Sequence, residues 1–363
     1  MRHLSLIKPG LACLALLVPG LGRVVADEPA TNYPAAFFGI TDEDDAYTYP
    51  WTQHTDRHYT HGIKFSYMDA FTPETNAPEL FQRVLGWGKW NNEAGSFGGV
   101  FGQNMYTPEN LLTAAPIPTD RPYAGWFYAG AVYQREGQLR PTLFVQDSFE
   151  GDLGVVGPLS YGGDVQKAFH HLFFPDDIPQ GWGNQIHNEP GLLLKYQRSW
   201  RWSPTEQTAH YVDVIPHAGF ALGNIFTFGA AGVTGRIGLN LPPDFGEATI
   251  DSPGSMNSGF VPGAWGSVYF FGAFDERAVA QNITLDGSWF QSDPSVGEKT
   301  WVDDVTYGFA FRLDPHAACA HLSRWVPQME FSFAHIERSK EFRGQDGNDI
   351  FGSGTLKLSW HVW

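Results

Sequence analysis

Two residues four apart, Gln166 and His170, sit in the stretch Ser160-Tyr-Gly-Gly-Asp-Val-Gln-Lys-Ala-Phe-His-His-Leu-Phe-Phe174. An imidazole takes a proton from water near neutral pH, and a general base of this kind contributes roughly 10²- to 10⁴-fold to a hydrolytic rate. Val165, Phe169, Leu172 and Phe173 fall at helical spacing in the same stretch, and Pro175 stops it. On such a helix Gln166 and His170 project from one face, with Lys167 and His171 as a neighbouring pair. The competing reading is that His170 and His171 only decorate a loop helix, because isolated histidines are common.

A second cluster, Asp42-Glu43-Asp44-Asp45, lies upstream of Thr55-Asp-Arg-His-Tyr-Thr-His-Gly62. Dense carboxylates suit a hard, oxygen-seeking cation such as calcium. The spacing is not that of an EF-hand loop, and an acidic run on a secreted chain is commonly a solvated face. A third cluster, Asp120-Arg-Pro-Tyr-Ala-Gly-Trp126, reads as mainly structural. There an Asp120–Arg121 ion pair would orient a loop, and Pro122 and Gly125 would set the start of a strand. The chain has no G-x-S-x-G elbow, no H-E-x-x-H and no cysteine pair, so neither that kind of serine hydrolase nor a zinc enzyme gains support.

The elements that must position these groups repeat with a period of two. Tyr59, His61, Ile63, Phe65 and Tyr67 share one face of a strand, and Thr60, Gly62, Lys64 and Ser66 share the other. Leu192, Leu194, Tyr196, Arg198, Trp200 and Trp202 alternate with Leu193, Lys195, Gln197, Ser199 and Arg201, and the two tryptophans suit an interfacial aromatic girdle. The pattern recurs from Val212 to Phe220, from Val305 to Phe311, from Met329 to Phe333 and from Leu356 to Val362. Stretches 73–95, 241–263 and 343–354, rich in Gly, Pro, Asn and Asp, read as loops within one domain. With 28 Phe, 14 Tyr, 13 Trp and 41 Gly in 363 residues, an all-helical bundle is disfavoured.

Residues 1–26 carry Arg2 and Lys8, an apolar stretch from Leu11 to Val18 and Val24-Val-Ala26 before Asp27, the pattern of a secretory signal cleaved after Ala26. Its loss removes three basic residues and Cys13, leaving 20 basic against 39 acidic residues in 27–363 and Cys319 without a partner for a disulfide. That charge argues against a general nucleic-acid binder. No later run of 18 apolar residues could form a spanning helix, but a transmembrane barrel needs none and tolerates a mean hydropathy of −0.26. The alternative is a secreted β-sandwich or soluble barrel. The inward sets are often Gly, Ser, Thr and Lys, poor material for a dry interior, and favour the membrane barrel.

Six motifs in order carry a resemblance: T-D-R-H-Y-T-H-G (55–62), G-Q-N-M-Y-T-P (102–108), D-R-P-Y-A-G-W (120–126), L-G-V-V-G-P (153–158), Q-K-A-F-H (166–170) and G-W-G-N-Q-I-H-N-E-P (181–190). Together the sequence resembles the lipid A 3-O-deacylase family of Gram-negative outer membranes. The resemblance implies a transmembrane antiparallel β-barrel of about twelve strands, with the active site between the barrel wall and a helix from an extracellular loop. It also implies calcium-dependent hydrolysis of the ester holding the 3-position acyl chain of lipid A. By the same resemblance His170 is the catalytic histidine, Gln166 the glutamine one turn before it, and Thr60, in Y-T-x-G, the active-site hydroxyl.

Two departures stand out. The family usually has Asn-Asp in the first strand, where this chain reads Glu43-Asp44-Asp45, and we assign the pair to Asp44 and Asp45. An active-site lysine found in some members has no counterpart, since no lysine lies between Lys89 and Lys167 and Thr113 falls near its place. The expected function is an outer-membrane esterase acting on lipopolysaccharide. The rival is a non-catalytic barrel, a porin or scaffold that kept the fold.

Overall fold

In the computed structural model, residues 36–48, 57–71, 90–173, 175, 178–247, 249–253, 264–319 and 326–360 are described. The signal sequence expected over 1–26, with Cys13, lies outside them. Alternating apolar and polar residues give each strand two unlike faces, and the polar faces are hidden by closing the sheet on itself. The strands are β1 (Ala36–Asp44), β2 (His58–Phe71), β3 (Asn91–Thr107), β4 (Ala124–Arg140), β5 (Leu143–Val156) and β6 (Glu189–Trp202), then β7 (Val212–Gly223), β8 (Phe226–Leu239), β9 (Gly266–Asn282), β10 (Trp301–Leu313), β11 (Gln328–Arg338) and β12 (Asp349–Trp360). Each pairs antiparallel with its sequence neighbours, and β12 pairs with β1 from Ala36↔Trp360 to Asp44↔Gly352. A closed barrel of twelve strands leaves no unpaired sheet edge.

The two faces settle what kind of barrel this is. Leu192, Leu194, Phe220, Ile237, Phe270 and Tyr307 are exposed on the outside. Lys64, Glu150, Lys195, Arg236, Arg312 and Lys357 are buried inside. A soluble barrel would reverse this distribution, whereas lipid outside and a polar lumen demand it. The inward charges are paired, as buried charges must be: Lys64 Nζ lies 2.9 Å from Glu150, and Arg236 grips Asp213 at 2.6 Å.

The stretch expected to be a loop at 241–263 does more than connect. After β8, residues 241–247 and 249–253 enter the lumen. There Asp244 is held by both Arg236 and Arg312, and Asp251 lies 3.1 Å from Arg277 and from Arg338. Further along, the Ile250 amide donates to Glu43 Oε1 at 2.9 Å, and Lys64 Nζ donates to the Ser252 carbonyl at 3.3 Å. A cavity of about 150 Å³ remains between this segment and the wall, lined in part by Glu247, Thr249, His217 and Asp275.

Three readings of the chain need correction. The supposed loops at 73–95 and 343–354 end in strand, at Asn91 and Asp349. Gly352, inside the stretch read as loop, makes room for neighbours: a Cβ there would lie 2.5 Å from Tyr47 Cβ and 3.2 Å from the Phe333 ring. The single face drawn from Tyr59 to Tyr67 is broken by a bulge between Tyr59 and His61. The bulge sends Tyr59 inward to donate to Glu43 Oε2 at 2.7 Å, while Ile63, Phe65 and Tyr67 keep the outward face.

A candidate active site on the outer wall

The helix expected over 160–174 forms as α1 (Gly162–Phe173), with its polarity inverted relative to a water-facing helix. Gly162, Gly163, Gln166 and His170 are its buried residues, while Val165, Phe169, Leu172 and Phe173 are exposed. Such a helix lies on a wall with its polar face and presents its apolar face to lipid. Its seat is the outside of β3 and β4. Along the outward face of β3, Phe101 is exposed, but Gln103, Met105 and Thr107 are buried, which marks where the cover begins. Gln103 Nε2 donates to the Ser160 carbonyl at 2.6 Å. A Cβ on Gly162 would lie 3.2 Å from Met105 Cγ and 3.4 Å from Gly125 Cα, so helix and wall approach backbone to backbone. Gly157 at φ 90° and Tyr161 at φ 59° turn the chain from β5 into this position.

Thr60 is the extra residue of the β2 bulge, and its hydroxyl lies 2.7 Å from that of Thr107. Because Thr107 alternates with the lumenal Tyr106, Thr60 joins Met105 and Gln103 on the side of β3 that α1 covers. It therefore does not share the inward face of Lys64, as the uninterrupted alternation had implied. Asp44 is the register partner of His61 across β1 and β2, next to that bulge. On the same outward face Asp42 accepts from His61 Nε2 at 3.0 Å and from the Tyr47 hydroxyl. Gln166 and His170 are thus carried by a helix seated on β3 and β4, and Thr60 and Asp44 lie on the outward face of the neighbouring strands β2 and β1.

Asp45 is placed differently. It opens a short 3₁₀ turn, Asp45–Thr48, is 4% exposed, and accepts from the Arg57 amide through Oδ2 at 2.9 Å. Asp44 Oδ1 accepts from the Ala46 amide at 2.7 Å. Among the described residues no group of three or more His, Cys, Asp and Glu is arranged to hold a metal ion. Asp44, at the end of β1, supplies a hard carboxylate oxygen of the kind calcium takes, and any further ligands would be carbonyls, water or substrate.

The third sequence cluster is a joint rather than an ion pair of neighbours. Arg121 reaches Glu341 at 3.0 Å and Thr284 Oγ1 at 2.8 Å. Asp120 instead lies 3.3 Å from His58 Nε2 and accepts from the Glu109 and Arg121 amides at 2.8 and 2.7 Å. Adjacent residues of an extended chain point opposite ways, which is why the expected Asp120–Arg121 pair does not form. Burial alone would raise the Asp120 carboxyl, but the hydrogen bonds from His58 and the two amides hold it below the usual carboxylate range.

One residue with a direct hold on the site escaped the reading of the chain. Trp182, in the G-W-G-N motif, donates from Nε1 to Gln166 Oε1 at 2.6 Å. The available signals were the glycines around it: Gly181 before it and Gly162-Gly163 at the head of α1.

An apolar-faced closed barrel with a polar lumen is an outer-membrane β-barrel, and here a His–Gln pair is buried between its wall and the helix that carries the pair. The family model described as outer membrane protein LpxR matches residues 11–362, and the chain belongs to that family, the lipid A 3-O-deacylase family its motifs resemble. Among solved structures, LpxR from Salmonella typhimurium matches with a TM-score of 0.66 at 19% identity, covering 89% of this chain and 100% of that one. The translocator domain of the autotransporter NalP from Neisseria meningitidis covers 92% of this chain and 90% of its own, at 5% identity and a TM-score of 0.41. No curated protein matches the sequence.

Proposed function

We propose that this protein is an outer-membrane esterase that hydrolyses the 3-O-linked acyl chain of lipid A, exported by a signal over residues 1–26. The observation that carries the proposal is the burial of Gln166 and His170 against the outer wall of the barrel, under a helix whose apolar side faces lipid. A lipid substrate reaches such a site sideways from the membrane, without passing through the lumen. His170 takes a proton from a water molecule, the resulting hydroxide attacks the ester carbonyl, and the proton returns to the departing 3-oxygen of the sugar. The products are a free fatty acid and lipid A with a 3-hydroxyl. Gln166 and the Thr60 hydroxyl position the water and the ester. Asp44 is the residue that would hold calcium, Asp45 being engaged by the Arg57 amide, and calcium when bound supplies positive charge beside the reacting carbonyl.

The test is fatty-acid release from lipopolysaccharide by the full chain in outer membranes. His170→Ala is expected to abolish release while the barrel keeps its heat-modifiable migration, and chelation of calcium is expected to stop the wild type. Release unchanged in His170→Ala would refute the role given to His170. A porin or passive scaffold releases nothing with or without metal, and residues 241–247 and 249–253 within the lumen weigh against a wide diffusion channel.

A further inference from the structure

The loop tryptophan Trp182 is 3% exposed and is tied to α1 on two sides. Its ring lies flat against the head of the helix: an added Cβ would be 2.8 Å from Trp182 Cγ at Gly163 and 3.1 Å from Cη2 at Gly162. Its indole N–H donates to Gln166 Oε1 at 2.6 Å. Behind it stands Tyr123, with ring centroids 5.0 Å apart, and Tyr123 is fixed in turn by donating to the Leu111 carbonyl at 3.1 Å and accepting from the Ile186 amide at 3.0 Å. Gly181 lets this happen, since a Cβ there would be 2.2 Å from the Tyr123 ring.

An indole can only donate, so this bond determines which end of the Gln166 amide is engaged and turns its donating end elsewhere. Because Gln166 and His170 are one helical turn apart, fixing the first also fixes the rotation of the helix that carries the second. We propose that Trp182 is a positioning residue for ester hydrolysis: it sets the amide of Gln166 and the rotation of α1, and so the direction in which His170 meets water. The proposal rests on the deacylase reading above. It needs no contact between Trp182 and substrate.

The experiment compares wild type, W182F, Q166A, the double variant and H170A in the full chain, with lipopolysaccharide as substrate and heat-modifiable migration as the measure of folding. W182F keeps an aromatic ring and removes the N–H. It is expected to lower kcat about tenfold, the scale of a buried polar group left without its partner, with KM little changed. The double variant is expected to be no slower than Q166A, because both substitutions break the same bond. Unchanged kcat in W182F, losses that multiply in the double variant, or loss of barrel migration in W182F would each overturn the positioning role. If wild type and H170A release equal amounts of fatty acid, the deacylase reading itself fails, an outcome distinct from any of these.

Discussion

At the residue scale, the contact between α1 and the wall depends on Gly125. A Cβ at that position would fall 2.1 Å from Ser160 Oγ, and Ser160 is pinned by donating to the Gly157 carbonyl at 2.6 Å. Gly125→Ala is therefore expected to lift the Ser160–Gly162 corner and lower fatty-acid release at least tenfold, with barrel migration intact. Gly229→Ala in β8, where nothing lies within 4 Å of the added carbon, serves as the control and is expected to be neutral. The Gln166–His170 pair was legible in the sequence because a four-residue spacing on a short helix suffices to place two side chains on one face. The outward turn of Thr60 was not, because a bulge adds one residue without changing the apolar–polar alternation on either side of it. The partner of Arg121 was not legible either, since Glu341 is brought to it only by closure of the barrel.

At the scale of elements, the rim of the barrel is tied by short pairings between its loops. Glu298 bridges to Phe342, flanked by amide bonds from Lys299 to Glu341 and from Arg343 to Gly297. Burial first, and the neighbouring Asp286 carboxylate second, push the Glu298 carboxyl up to about 7. An acid whose proton is held more tightly in the folded state loses stability as pH rises from its ordinary value of 4.5 through 7, the range in which the ion must form beside Asp286. Glu298→Gln is expected to remove that loss, and proteolysis of this loop pairing at pH 5 and pH 8 checks it: the wild type should be cut faster at pH 8, the variant equally at both. Strand identity was legible wherever large apolar residues alternated with Gly, Ser, Thr and Lys. The start of β12 was hidden because a glycine that accommodates neighbouring side chains, Gly352, looks the same in sequence as one that turns the chain.

At the scale of the whole molecule, paired charges fill the lumen while the lipid-facing surface is apolar, and breaking one of those pairs leaves a buried charge behind. Asp244 is the point at which the lumenal segment is held by two barrel strands at once, through Arg236 and Arg312. Asp244→Ala is expected to cost about 3 kcal/mol, because it leaves two buried guanidinium groups short of a counter-charge. The measurement is the temperature at which the barrel loses its heat-modifiable migration, which should fall clearly below that of wild type. Membership of a barrel family was legible from six ordered motifs. The filling of the lumen was not, because a segment that reads as polar loop can lie in water or in a polar interior equally well.

That filling bears on the cell that carries the protein. The wall helix faces sideways into the bilayer, while residues 241–247 and 249–253 lie inside the bore of the cylinder. A deacylase of this build would do its work on the outside of the wall, so the contents of its bore and the trimming of surface lipid would be free to vary independently of one another.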